Sequence, residues 1–252
     1  IRLWKIKMKI RSTVLALGIA ATLTGCQNMD SNGLLSSGAE AFQAYSLSDA
    51  QVKTLSDQAC KEMDAKAKIA PANSEYSQRL NKIAAALGDN INGQPVNYKV
   101  YETKDVNAFA MANGCIRVYS GLMDLMNDDE LRGVIGHEIG HVGLGHSKAR
   151  MQTAYAASAA RSIAANSGNA ALASLSQSQA GELGEKFINA QFSQSQESAA
   201  DDYSFDLLTQ KKMNRQGLVT AFQKLAKLSG GSGGSSILSS HPPSEARAKH
   251  MQ

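Results

Sequence analysis

"NDDELRGVIGHEIGHVGLGH", residues 127–146, decides how this chain is read. Asn127 or Asp128 can cap a helix start. The acids Asp128, Asp129 and Glu130 then fill the first turn, where the helix dipole favours negative charge. The stretch predicts a helix over 127–146. Its interior keeps Gly136, Gly140, Gly143 and Gly145, each costing about 1 kcal/mol of helix stability against alanine. A helix that keeps them predicts a neighbour pressed close to its backbone.

On that helix His137, Glu138 and His141 form a His-Glu-x-x-His pattern. Residues four apart lie about 40° from each other, one turn along, so both imidazoles reach one metal ion from one face. Glu138 sits beside them, where it can take a proton from a water at that metal. Two imidazoles suit zinc, and a catalytic zinc needs one more protein ligand and a position left for water. On an unbroken helix His146 faces the opposite side from His137. It is therefore expected to be a structural polar group near the helix end, not a ligand. The best candidate for the third ligand is Glu197 in "ESAAD" (197–201). Asp201, four residues on and on the same face, can accept the distal N–H of a ligating histidine. Glu182 and Glu185 lie on the same predicted helix, 182–212, and are the rivals.

Around this centre the periodicities predict helices at 46–67, 73–90 with Gly88 as the stop, and 215–228. "NGQP" (92–95) reads as a turn, and "VNYKVYET" (96–103) alternates as a strand. Residues 108–123 read as two short strands around an Asn113–Gly114 turn. The expected class is α+β and mostly helical, with a small mixed or antiparallel sheet packed against the metal-binding helix. Residues 46–252 are expected to form a single metallopeptidase domain. Residues 150–181 are rich in Ala, Ser, Gln and Asn and only weakly helical. They predict either a helical hairpin over the site or a mobile lid.

The N-terminus reads as an export signal over 1–25, with residues 1–7 upstream of a natural start at Met8. Lys7, Lys9 and Arg11 precede the short apolar run "VLALGIAATLTG" (14–25). That run falls short of the roughly 20 apolar residues that span a bilayer. "LTGC" (23–26) resembles the bacterial lipoprotein box, which implies acylation of Cys26. Gln27 after it, by the rule for such lipoproteins, implies the outer membrane. Residues 26–45 then serve as lipidated cysteine and tether. Cys60 and Cys115 are the remaining cysteines, an even pair that predicts a disulfide in an oxidising compartment. The formal charge of +4 comes from five basic residues before residue 26; beyond them 21 basic residues face 22 acidic ones. No basic face is implied, and nucleic acid is excluded as a partner class.

The pattern HExxH, then ExxAD on a later helix, then "HPP" (241–243) with an arginine resembles metallopeptidase family forty-eight, the HtpX and CAAX-prenyl-endopeptidase type. "NAFAMANGCIRVYSGLM" (107–123) directly before the metal helix strengthens the match. The resemblance covers roughly residues 50–250. It implies a zincin-like fold and zinc held by His137, His141 and Glu197. It also implies Glu138 as general base and Asp201 behind a ligand. His241 and Arg247, six residues later, fall near the site in the family pattern. His241 is then expected either to stabilise the oxyanion or to occupy the fourth zinc position at rest. The resemblance also implies an edge strand near 115–119 that binds substrate backbone.

The reading that follows is a zinc endopeptidase tethered to the inner face of the outer membrane, acting on unfolded or misassembled envelope proteins. Envelope assembly factors or proteases are candidate partners. Two rivals stand beside it: a chaperone or assembly factor with a latent zinc site, and a structural lipoprotein whose zinc only staples helices.

Overall fold

The computed structural model describes residues 47–163, 175–229, 236–242, 247 and 250. The export segment, Cys26, the tether and residues 164–174 of the Ala/Ser-rich stretch lie outside them. Helix α1 (Asp49–Lys66) is followed by α2 (Glu75–Leu87), the strand pair β1 (Asn90–Ile91) and β2 (Gln94–Pro95), and β3 (Asn97–Tyr101). Then come β4 (Ala108–Ala110), β5 (Cys115–Tyr119), α3 (Ser120–Leu125) and α4 (Asp128–Gly143). The described remainder is helical: α5 (His146–Ile163), α6 (Gln177–Asn189), α7 (Gln194–Gln210), α8 (Gln216–Ser229) and α9 (Ser236–Ser240).

Reciprocal caps start four of these helices. In α1, α6 and α7 a serine (Ser48, Ser176, Ser193) accepts from the backbone N–H of a glutamine three residues on, whose side chain accepts in return. Asn127 and Glu130 do the same for α4. The Ser193 box divides the single helix expected over 182–212 into α6 and α7, and the expected rivals Glu182 and Glu185 sit on α6. The turn expected at 92–95 is tighter than that. Asn92 and Gly93, both at positive φ, join β1 to β2 as a two-residue hairpin.

The three-stranded sheet has the order β3-β5-β4. β3 runs parallel to β5, and β4 pairs antiparallel with β5 through the expected Asn113–Gly114 turn. The sheet is therefore mixed. β5 lies at its centre with both sides hydrogen-bonded, so 115–119 is not the edge strand that the resemblance implied. The edges are β3 and β4, and on β4 the Ala110 carbonyl already accepts Ser147 Oγ at 2.8 Å.

Alternation along the strands divides two cores. Val100, Ala108, Ala110, Ile116 and Val118 face α2, α4 and α8, packing with Leu80, Ile83, Leu131, Ile135 and Leu225. Tyr101, Phe109, Met111 and Cys115 face the other way, against Val52, Leu55 and Ala59 of α1 and Leu183 and Phe187 of α6. Cys60 and Cys115 are joined by a disulfide, which ties α1 to β5.

Gly136, Gly140 and Gly143 have the close neighbours their presence predicts, as does Gly133, whereas Gly145 lies past the end of α4 and a Cβ on it would meet nothing within 4 Å. A Cβ on Gly133 would come 2.6 Å from Leu218 N of α8, and one on Gly136 would come 2.7 Å from Ser204 Oγ of α7. At Gly140 and Gly143 the neighbour is Tyr203. The glycine stripe lets α7 and α8 approach the metal helix at backbone distance. That approach brings Glu197 and Asp201 within reach of the histidines.

Candidate metal centre

His137, Glu138 and His141 are buried on α4, Glu197 and Asp201 on α7, and His241 just after α9. One donor atom from each of His137, His141, Glu197 and His241 falls within 4.8 Å of all the others. His137 Nε2 is 3.0 Å from His141 Nε2 and 3.3 Å from His241 Nδ1. Glu197 Oε1 is 3.3 Å from His141 Nε2 and 3.0 Å from His241 Nδ1. A tetrahedral ion with bonds of about 2.0 Å has ligand atoms about 3.3 Å apart. The spacing, the donor types and the burial fit such an ion. Glu182 and Glu185 take no part: Glu182 pairs with Lys186 at 2.7 Å, and Glu185 lies 3.8 Å from Lys66.

His137 is held from behind. Its Nδ1 lies 2.8 Å from Asp201 Oδ1, and a carboxylate can only accept, so the proton sits on Nδ1 and Nε2 is left to ligate. Arg247 donates to both Asp201 oxygens, Nε at 2.7 Å and Nη2 at 2.8 Å, and its Nη1 forms an ion pair with Glu197 Oε2 at 2.6 Å. Its guanidinium lies over the Phe222 ring, whose edge meets His137.

Electrostatics follow this layout. Burial opposes charge on Glu197, but hydrogen bonds from His141 and His241 outweigh it and hold the carboxyl well below its usual range. Asp201 is likewise lowered: burial opposes, and His137 and Arg247 prevail. For His137, burial is outweighed by Asp201 and Glu197, so its pKa rises. Burial pushes His141 far down. It pushes Glu138 up, against the pull of His241 and His137. Glu138 Oε1 lies 3.3 Å from His241 Nε2, yet neither atom has a hydrogen-bond partner among the described residues. A buried carboxylate with a raised pKa and a free oxygen is suited to take and return a proton.

Three neighbours carried no spacing signal in the sequence. Phe192 stacks on His141 with centroids 3.7 Å apart, and Arg150 lies 4.2 Å over Phe192. His146 was expected on the far side of an unbroken helix. Instead α4 stops at Gly143, Gly145 turns the chain at φ 76°, and His146 Nδ1 comes 3.1 Å from His141 Nδ1. Among the described residues it stays outside the group of convergent donors, although it lies beside His141 and not on the far side of the helix. It also opens α5 and does not close α4.

A buried glutamate beside a metal-fitting cage of two helical histidines and a later carboxylate is the arrangement of a metallopeptidase. Residues 71–252 match peptidase family M48, and the chain belongs to that family. It is 67% identical over 245 residues to Metalloprotease LoiP of Escherichia coli K12, covering 97% of this chain and 96% of that protein. It is 55% identical over 250 residues to Metalloprotease YcaL of the same organism, covering 96% and 97%. Protease HtpX of Pasteurella multocida is 28% identical over 136 residues, 52% of this chain and 46% of that protein.

Proposed function

We propose that this metallopeptidase is a zinc endopeptidase, lipid-anchored through Cys26 to the periplasmic face of the outer membrane, that cleaves unfolded or misassembled envelope proteins. His137, His141 and Glu197 hold the zinc, with Asp201 and Arg247 behind them. The observation that carries this is the convergence of these donors beside a buried Glu138, one oxygen of which has no hydrogen-bond partner among the described residues. Zinc, when bound, supplies polarisation of the scissile carbonyl and acidifies a water. Glu138 takes the proton of that water and returns it to the leaving amine. His241 Nε2, next to Glu138, is available to the developing oxyanion. The export signal, the lipoprotein box and the Cys60–Cys115 disulfide support the envelope placement.

The test is the full chain with unfolded casein and zinc, beside Glu138→Gln. Wild type is expected to cleave, with the variant slower by about 10²- to 10⁴-fold at equal zinc content. Absence of cleavage by both, with zinc bound, would sink the protease reading.

One observation favours a second reading, the latent site of a chaperone or assembly factor. His241 Nδ1 supplies a fourth donor where a catalytic centre keeps water. Equal rescue of an envelope defect by wild type and Glu138→Gln would select it. A purely structural zinc would need no Glu138, which is nonetheless buried here at the site.

A further inference from the structure

The two imidazoles assigned to the metal are supported differently. His137 has a carboxylate at its distal nitrogen; His141 has His146 Nδ1 at 3.1 Å. Resting on the metal assignment above, we infer that His146 is a positioning residue. As a neutral imidazole it accepts the Nδ1–H of His141 and so fixes His141 with Nε2 toward the metal.

The position of one proton carries this. His141 Nε2 is the inward nitrogen, 3.0 Å from His137 Nε2 and 3.3 Å from Glu197 Oε1. A ligating imidazole keeps its proton on the other nitrogen. Two Nδ1 atoms at hydrogen-bond distance hold one proton between them. His141 therefore donates, and His146 offers its lone pair and keeps its own proton on Nε2.

The backbone is built to bring His146 there. Gly145 takes a left-handed conformation, and its N–H donates to Val142 O at 3.0 Å. The turn swings residue 146 back over the last turn of α4. A Cβ on Gly145 would meet nothing within 4 Å, so glycine is needed there for its φ of +76° and not for space. Phe192 covers one face of the His141 ring, and Arg150 covers Phe192. With its face stacked and its edge bonded, the ring has one orientation.

The test measures zinc affinity of the full chain by chelator competition. His146→Asn keeps an acceptor, Oδ1, close to where Nδ1 was; His146→Leu keeps bulk and loses the acceptor. The Leu variant is expected to bind zinc about 10- to 100-fold more weakly, and the Asn variant within about threefold of wild type. With cobalt(II) in place of zinc, the visible bands should move in the Leu variant alone. Should the Leu variant not fold, His146→Lys, which offers only donors, takes its place with the same expected loss. A Leu or Lys variant that matches wild type overturns the inference. So does equal weakening of Asn and Leu forms together with an equal loss of thermal stability without metal, which would mark a packing role. A wild type that binds no zinc would sink the metal assignment and this inference together.

Discussion

Arg247 touches both buried carboxylates of α7, bonding Asp201 through Nε and Nη2 and pairing with Glu197 through Nη1. Removing one partner of a buried pair strands the other charge, at a cost of about 3–5 kcal/mol. Arg247→Ala is therefore expected to lower unfolding stability by about that amount in denaturant titrations, and Arg247→Lys should not restore it, having no planar fork for Asp201. A second expectation separates the carboxylates. Glu197→Gln should abolish zinc uptake in equilibrium dialysis, whereas Glu182→Gln, on a surface ion pair, should leave it unchanged. These residues were unequally legible. His137, Glu138 and His141 follow from a four-residue period, and Asp201 from its spacing to Glu197. His146, Phe192 and Arg150 act through a turn and through stacking between elements, neither of which leaves a period in the sequence. For His146 the sequence held one clue, Gly145, which reads equally well as a helix interior.

Among the elements, α4 shows local propensity overruled by packing. Ala is favoured over Gly within a helix by about 1 kcal/mol, yet a Cβ at Gly133 would stand 2.6 Å from Leu218 N and 2.7 Å from Leu218 Cα. That neighbour is backbone, which cannot rotate away. Gly133→Ala is expected to destabilise by about 1–3 kcal/mol net, measured by chemical unfolding, and stabilisation would contradict the close approach of α8. The glycines predicted a close neighbour but could not say which helix supplied it. Helix boundaries were legible where capping chemistry was read. Asn127 and Gly88 mark observed ends. The Ser193-x-x-Gln196 box ends the reading of 182–212 as one helix, and its signal was present in the sequence but masked by continuous apolar periodicity on both sides. The centre of the sheet was not legible. Strand order depends on β4 pairing back onto β5, and that pairing puts 115–119 inside the sheet.

At the scale of the whole molecule, the sheet's second face carries its own attachments, separate from the metal centre. Asp64 of α1 accepts from Arg117 Nε at 2.8 Å and Nη2 at 2.9 Å, from Tyr101 Oη at 2.7 Å and from Lys99 Nζ at 2.6 Å. Burial alone would raise its carboxyl, but these donors outweigh burial and hold it at about 2, below the ordinary 3.8. An acid with a depressed folded pKa stabilises fully above its unfolded pKa and loses that stabilisation as pH falls through the folded one. Wild type should therefore exceed Asp64→Asn by about 2 kcal/mol near pH 5, and the gap should shrink as pH falls from 4 toward 2. Beside this cluster Arg117 Nη2 donates to Cys60 Sγ at 3.2 Å, within a disulfide that spans 55 residues. Opening a loop of that size restores chain entropy worth about 4 kcal/mol to the unfolded state. Replacing Cys60 and Cys115 together by Ser is expected to lower unfolding stability by up to about that amount. The bond joins α1 to β5, while the donors stand on α4, α7 and the segment after α9, so zinc affinity of the folded double variant should match wild type. If affinity fell with stability, the sheet's second face and the metal centre would be one cooperative unit, and the disulfide would belong to the site as well as to the fold.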